Sequence, residues 1–278
     1  MRFSGHESFQ CRLYWLKKGY DYLKEKGDFA SDDAPVKLGV GKNMVVAIKF
    51  WLKAFGVFDD KSKEVSELSS KIFDDQGGWD PYLEDEGTLW LLHYLLVKNE
   101  YASAYYLVFN ELRKRKPEFN LNHFQNWVAE SGGTVSETTL KTDLQTFSRT
   151  YIPRDDSKDL DESHSGLLTE LNLVTKQKKE KIEWFSVEPK RRPEIPIPIF
   201  AFCILENEEY NKSVSFEVLY SEGVGSIFAL NREGLTEKLE ELSEKYKWVN
   251  FSNEAGIKEL QFSKKPTSLD ILKKYYAG

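Results

Sequence analysis

The side chains best suited to chemistry in this sequence lie between Ser136 and Thr150. Leu140, Leu144 and Phe147 recur at the spacing of one helical face and predict a buried stripe. The opposite face then carries hydroxyls, an amide and two cations, which are the groups that contact base edges and phosphates in protein–DNA complexes. We therefore predict a DNA-contacting helix with these five side chains: Thr138, Thr139, Lys141, Gln145 and Arg149.

A second helix and a glycine-containing break precede this segment. Leu121, Phe124 and Trp127 repeat at helical spacing, and Ser131-Gly132-Gly133 interrupts the periodicity. Two helices joined by a short turn form the unit that many DNA-binding proteins use. The sequence thus predicts a helix-turn-helix over residues 120–150.

The stretch from Leu38 to Val57 predicts another helix-turn-helix. A short helix ends at Leu38, Gly39-Val40-Gly41 breaks the chain, and an amphipathic helix follows from Lys42 to Ala54. This motif contacts DNA in many proteins and is only a packing unit in many others.

The outward face of the helix 42–54 is unusually apolar, since it includes Phe50 and Trp51. A helix that enters a DNA groove needs polar side chains there, so we predict that this helix is buried on more than one side. Its candidate DNA contacts are limited to two residues, Lys42 and Asn43.

Two short apolar pieces follow this helix and flank a charged loop. Val57-Phe58 precedes Asp59 to Glu67, and Leu68 to Phe73 follows it. We predict that they form the β-hairpin wing of a winged helix. The loop of this wing supplies two candidate phosphate contacts, Lys61 and Lys63.

The charge distribution favours a local nucleic-acid surface over a general one. The net charge is −6, whereas residues 111–192 contain 15 basic and 14 acidic residues. Phosphate contact depends on local charge, so a DNA surface should involve this middle segment. The basic run at the end of this segment, Lys190-Arg191-Arg192, is a further candidate for phosphate contact. Such runs are usually solvated protein surface.

The sequence contains no motif for nucleotide, dinucleotide, zinc-protease or hydrolase chemistry, and we predict no cofactor, metal ligand or catalytic residue. Asp80, Glu84 and Asp85, with Lys98 downstream, raise the alternative of a metal-dependent nuclease. These acids lie in a turn and at a predicted helix N-terminus, where carboxylates stabilise the helix. His93 shares an apolar helix face and is predicted to be a half-buried structural histidine.

Composition and periodicity predict a mainly α protein with an α+β C-terminal part, built on winged-helix and helix-turn-helix modules. The predicted domains are a winged-helix-like module (1–82), a helical module with the second helix-turn-helix (83–152) and an α+β domain (166–278). A charged linker from Pro153 to Ser165 precedes the α+β domain. The sequence lacks a membrane-length apolar run and a secretory signal, which favours a cytoplasmic protein.

The C-terminal part is expected to combine strands and helices. Helices are predicted from Arg232 to Tyr246 and from Ser268 to Tyr276, and a strand from Ile227 to Leu230. The prolines within the apolar run from Ile195 to Leu205 argue for an extended segment there.

Three windows resemble a bacterial family, the domain-of-unknown-function 4007 family. They are FSGHESFQCR (Phe3 to Arg12), LGVGKNMV (Leu38 to Val45) and DPYLEDEGTLWLLHYLLV (Asp80 to Val97). The resemblance implies a DNA-modification or phage-defence context, including DNA phosphorothioation and BREX-type systems, beside phosphoadenosine-phosphosulfate-reductase-like proteins. It supplies no catalytic residue.

These observations lead to one main hypothesis and two alternatives. The main hypothesis is a DNA-binding winged-helix accessory or regulatory protein of such a system, with double-stranded DNA as its partner. The first alternative is a protein–protein adaptor that docks a sulfur-transfer or ATPase partner through an apolar helix face. The second is the metal-dependent nuclease.

Overall fold

The protein has a mixed α/β fold that is about half helical and contains small antiparallel sheets. The computed structural model describes residues 1–153, 165–254 and 256–278. These residues form two compact units, one of residues 1–84 and 95–187 and one of residues 85–94 and 188–278. Residues 154–164 of the predicted linker lie outside the described residues. The three predicted modules stay a prediction.

Helices are the main regular structure of the first unit. A further helix, Glu86–Lys98, has residues in both units. The α-helices of the first unit are Trp15–Lys24, Ala34–Leu38, Lys42–Ala54, Glu67–Phe73, Ser103–Leu107, Arg113–Arg115, Leu121–Glu130 and Glu137–Tyr151. A π-helix, Val108–Leu112, and a 3-10 helix, Thr169–Leu171, belong to the same unit.

The predicted pair of helices around the first glycine turn is confirmed. Ala34–Leu38 ends at Gly39, whose φ of 61° is a left-handed conformation that glycine adopts at little cost. Lys42–Ala54 then begins and ends where the periodicity predicts.

The helix Lys42–Ala54 is buried on more than one side, as its apolar composition predicts. Trp51 is fully buried, and its Nε1–H donates a hydrogen bond to the backbone oxygen of Phe9 at 3.1 Å. The Trp51 ring also meets Tyr105 edge-on, with 5.8 Å between the ring centroids. This helix is therefore a central packing element of its unit.

The predicted hairpin after this helix is wrong in its second half. Strands Phe58–Asp59 and Glu64–Val65 pair in antiparallel register, but Glu67–Phe73 is a helix. Ser66 begins this helix, because its side-chain oxygen accepts the N–H of Ser69 at 3.2 Å. Ile72 and Phe73, at the end of this helix, are buried as parts of a helix rather than of a strand.

Residues 103–187 contain a second group of elements around a three-stranded antiparallel sheet. Its central strand is the last in sequence, so the order across the sheet is first, third, second. The two helices predicted on either side of Ser131-Gly132-Gly133 are confirmed. Following the helical residues 103–115, the elements in chain order are Glu118–Phe119, Leu121–Glu130, Glu137–Tyr151, Thr175–Lys179 and Ile182–Ser186.

The inner face of the helix Glu137–Tyr151 packs on apolar residues. The predicted stripe of Leu140, Leu144 and Phe147 is buried. Phe147 contacts Tyr105, with 5.4 Å between ring centroids. The opposite face of this helix is thereby directed away from the core.

A buried carboxylate on the same helix holds the N-terminal loop. Asp143 accepts the N–H of Ser4 at 3.2 and 3.1 Å, and His6 Nε2 lies 3.3 Å from Asp143 Oδ1. His6 Nδ1 accepts the N–H of Ser8 at 3.2 Å. The proton of a neutral His6 ring therefore resides on Nε2, facing the carboxylate.

Asp143→Ala is expected to lower the free energy of unfolding by about 3 kcal/mol, because it leaves the Ser4 N–H without its acceptor and removes the carboxylate beside the buried His6 ring. Urea unfolding measures this loss. Lys141→Ala, an exposed change on the same helix, is the control and should alter stability by less than about 0.5 kcal/mol. Equal effects of the two changes would show that Asp143 does not hold the loop.

The second unit combines helices with a three-stranded antiparallel sheet. Two helices are confirmed as Arg232–Lys245 and Ser268–Tyr276. In neither unit does a described helix have the length and apolarity that crossing a membrane requires. The remaining helices of this unit are Ile197–Leu205, Phe216–Ser221 and Val224–Ile227, and its strands, in sheet order, are Ser213–Ser215, Ile257–Phe262 and Val249–Glu254.

Two secondary-structure predictions in this unit are wrong. Ile197–Leu205 is a helix, because Pro198 lies in its first turn, where a backbone N–H has no helical acceptor to lose. Residues 227–230 do not form a strand, since Val224–Ile227 is helical and Ala229 has a φ of 49°. Short apolar runs are compatible with either structure until their packing is known.

His93 is completely buried rather than half-buried. Its Nε2 lies 2.8 Å from the backbone oxygen of Ile227. Burial lowers the pKa of His93 to about 3, so the ring is neutral at physiological pH and donates its proton to that oxygen. His93 is a structural histidine, as predicted.

Candidate nucleic-acid interface

The exposed face of the helix Glu137–Tyr151 carries three of the five predicted DNA contacts. Thr138, Lys141 and Gln145 are exposed. Lys141 forms no ion pair with any residue that the structure describes, so its ammonium group faces solvent. These side chains are available to a ligand on this face.

The other two predicted contacts are engaged within the protein. The Thr139 hydroxyl lies 2.8 Å from that of Ser136, the residue that caps the helix. Arg149 Nη2 donates to the backbone oxygen of Ser8 at 2.5 Å and to Thr146 Oγ1 at 3.3 Å. Arg149 therefore links the helix to the N-terminal loop, together with Asp143.

A groove of about 340 Å³ separates this helix from the hairpin 175–186. Leu144 and Phe185, both buried, form part of its lining, and Lys141, Gln145 and Lys181 line it as well. The arrangement brings two of the predicted residues, Lys141 and Gln145, together with Lys181, which is not among the predicted contacts. An apolar floor with cationic and amide groups suits an anionic ligand that also has an apolar surface.

The hairpin beside the groove is rich in lysine, and some of its lysines are paired. Lys176 Nζ lies 3.2 Å from Glu183, and Lys179 Nζ lies 2.6 Å from Glu118. The hydrogen bond from Lys179 lowers the pKa of Glu118. Two other hairpin lysines, Lys178 and Lys181, make no ion pair within the described part of the chain, so the hairpin retains positive charge toward solvent.

The turn of the hairpin consists of two residues in the left-handed conformation. Glu180 has a φ of 50° and Lys181 a φ of 70°. A two-residue hairpin loop with both φ angles positive matches the right-handed twist of its strands, although glycine or asparagine usually occupies it. The sequence therefore lacks the residue type that normally identifies such a turn.

Lys181→Gly and Glu180→Gly are each expected to raise the free energy of unfolding by about 0.5 kcal/mol. The left-handed conformation costs an L-residue roughly 1–2 kcal/mol, which exceeds the roughly 0.5–1 kcal/mol entropic cost of glycine. Denaturant unfolding of both variants measures the change, with Lys178→Gly, in the regular strand, as a control that should lose stability. A lower free energy of unfolding in both turn variants would contradict the assignment of Glu180 and Lys181 to a left-handed turn.

The candidate contacts in the first part of the chain lie elsewhere. Lys42 and Asn43 are exposed in the first turn of their helix. Lys63 pairs with Asp60 at 3.1 Å, and hydrogen bonds from Lys53 and Lys63 lower the pKa of Asp60 to about 2.

Lys61 lines a separate cavity of about 700 Å³. Arg2 and Lys53 line this cavity too, and so do several acids. The structure thus places Lys61 in a site of mixed charge, and Lys63 pairs with an acid that lines the same site, apart from the groove beside Lys141.

The basic run 190–192 belongs to the second unit and is compensated there. Lys190 lies 3.5 Å from Glu188, and Arg191 pairs with Glu233 and, at 3.2 Å, with Glu237. Arg192 is buried, and burial lowers the pKa of its guanidinium group. These contacts leave the run with little uncompensated charge.

The carboxylates considered for metal chemistry have local structural roles. Asp80 Oδ1 accepts the N–H of Glu84 at 2.8 Å. Asp85 Oδ1 accepts the N–H of Gly87 and the hydroxyl of Tyr275, each at 2.7 Å. Within the described residues, no three His, Cys, Asp or Glu side chains come together as a metal site would require.

The fold and groove define a mixed α/β protein with a cationic groove between a helix and a hairpin. The chain belongs to the DUF4007 family of proteins of unknown function, whose model matches residues 3–276. This confirms the resemblance found in the sequence.

Two solved structures are similar to the whole chain. A magnesium ion-bound crystal structure of SspB is 27% identical with a TM-score of 0.84, and covers 99% of this chain and 88% of its own. A second SspB crystal structure is 26% identical with a TM-score of 0.83 and the same coverage. No curated protein is significantly similar to the sequence.

Proposed function

We propose that the protein is a DNA-binding winged-helix accessory or regulatory protein of a bacterial DNA-modification or phage-defence system in the cytoplasm. The observation that carries this proposal is the order of elements in residues 103–187. A helical segment, a strand, two helices and a hairpin follow one another, and the last strand lies between the other two. Winged helices have this order, with the second helix of the helix-turn-helix presented to the major groove.

In this function the wing is the hairpin 175–186 rather than residues 57–73. Lys141 and Gln145 on the helix Glu137–Tyr151 supply contacts to phosphates and base edges. Lys178 and Lys181 on the wing add phosphate contacts beside them. The exposed cations of both elements thus contribute to a single surface on the first unit.

The cellular context of the proposal comes from the family. The resemblance links its members to DNA phosphorothioation and BREX-type systems, and the similarity to SspB over the whole chain is compatible with a shared role. In such a system the protein would present DNA to a modifying enzyme or regulate expression. A sulfur-transfer or ATPase protein would be its partner.

Lys141→Ala is expected to weaken binding to duplex DNA and to lower the slope of log Kd against log salt by about 0.9, the value for one phosphate contact. Fluorescence anisotropy with a labelled duplex at several salt concentrations measures both quantities. Lys273→Ala, an exposed change in the helix Ser268–Tyr276, is the matched control and should leave them unchanged. Equal slopes for wild type and Lys141→Ala would remove this helix from the interface.

A protein adaptor is favoured by exposed apolar residues in the first unit. Val36 is 83% exposed, and Tyr14 and Tyr82 are about half exposed and line one groove of about 570 Å³. Apolar residues exposed together often mark protein contacts. Co-purification of a protein partner in stoichiometric amount and without nucleic acid would favour this function over DNA binding. The double variant Tyr14→Ser with Tyr82→Ser should abolish that co-purification.

Metal-dependent nuclease activity is favoured by the magnesium ion in the similar SspB structure. The enzyme would then convert supercoiled plasmid to nicked or linear DNA in magnesium or manganese and not in excess chelator. Agarose gel electrophoresis of a time course measures this conversion. A plasmid left intact at high protein concentration would exclude the nuclease function.

A further inference from the structure

We infer that the groove between the helix Glu137–Tyr151 and the wing holds a single unpaired base, so that the protein selects DNA with one nucleotide extruded from the stack. This inference rests on the proposed DNA binding and specifies the DNA that is bound. It concerns a cavity that contact with regular duplex does not require.

The size of the groove suits one base. Its volume of about 340 Å³ lies at the lower end of the roughly 300–1,000 Å³ typical of small-molecule pockets. A groove of this size accommodates a planar ring system, whereas a helix or strand of a protein partner needs a longer channel.

The chemistry of the groove matches the two parts of a base. Leu144 and Phe185 provide a buried apolar surface against which the face of a base can stack. Asn122 and Gln145 each bring an amide with donors and an acceptor, and neither hydrogen-bonds another described residue. These amides can pair with the edge of a base.

The neighbouring residue Asn120 behaves differently, although it lines the same groove. Its side-chain oxygen accepts the N–H of His123 at 3.2 Å and caps the helix Leu121–Glu130. Asn120 is therefore occupied by the fold, whereas Asn122, two residues later, is exposed. The Asn120 amide therefore has a structural role, whereas the Asn122 amide is available to a ligand in the groove.

The rim of the groove suits the backbone on either side of an extruded nucleotide. Lys141 and Lys181 approach it from the helix and from the wing, and the acid among its lining residues, Glu183, is paired with Lys176. Ile182 follows the turn and is 49% exposed, which is unusual for isoleucine. Apolar side chains on DNA-binding proteins insert between base steps and unstack them, and Ile182 is placed to fill the gap that an extruded base leaves.

The test compares three duplexes of otherwise identical sequence: fully paired, with one bulged nucleotide, and with an abasic site at the bulge. The wild-type protein should bind the bulged duplex about tenfold more tightly than the paired one. The abasic bulge should not show this gain. A 2-aminopurine at the bulge should change its fluorescence on binding, because its stacking environment changes.

Variants then locate the base. Asn122→Ala should reduce the preference for the bulged duplex about tenfold and leave affinity for the paired duplex unchanged, since its amide contacts only the extruded base. Ile182→Ala should reduce the preference as well. Asn126→Ala, an exposed asparagine on the same helix outside this groove, is the control and should preserve the preference.

The outcomes separate the inference from the proposed function. Equal, salt-dependent binding to all three duplexes would overturn the inference and leave the DNA-binding proposal standing. Equally tight binding to the bulged and abasic duplexes would overturn it too, because flexible DNA rather than the base would then be recognised. Failure to bind any of the duplexes would overturn both.

Discussion

The buried Asp143 carboxylate is the interaction on which the first unit most depends. It accepts the backbone N–H of Ser4 and lies 3.3 Å from His6 Nε2, so it fastens the N-terminal loop to the inner side of the helix Glu137–Tyr151. A buried carboxylate is stable only when such donors compensate for its lost hydration. The same contacts orient the helix, and its exposed face is thereby directed to solvent.

The loop needs this support because its backbone is strained. Ser4, Glu7 and Ser8 have φ angles of 65°, 49° and 62°, a conformation that costs L-residues energy unless surrounding contacts impose it. Arg149 supplies a further contact at the oxygen of Ser8. The window FSGHESFQCR, which carries the family resemblance, thus has a clear structural role in positioning the proposed DNA-binding helix.

Acidic neighbours determine which cations remain for a ligand. Arg191 pairs with two glutamates, and Arg192 is buried. Lys63 pairs with Asp60. Such pairs need not add much stability, but they reduce the local potential that attracts a polyanion. Lys141 and Lys181 line one groove without such partners among the described residues, which is why the proposals centre on them.

The sequence by itself determined the helices with strong 3.6-residue periodicity and clear breaks, including Lys42–Ala54, Leu121–Glu130 and Glu137–Tyr151. It also determined the exposed positions of Lys141 and Gln145, because an apolar stripe defines the face opposite to it. Only the tertiary structure decided that the hairpin 175–186 lies beside that face, that Arg149 contacts the N-terminal loop, and that Ile197–Leu205 is helical. The physical reason is that strand pairing, ion pairing and burial join residues far apart in the chain, and local spacing carries no information about such partners.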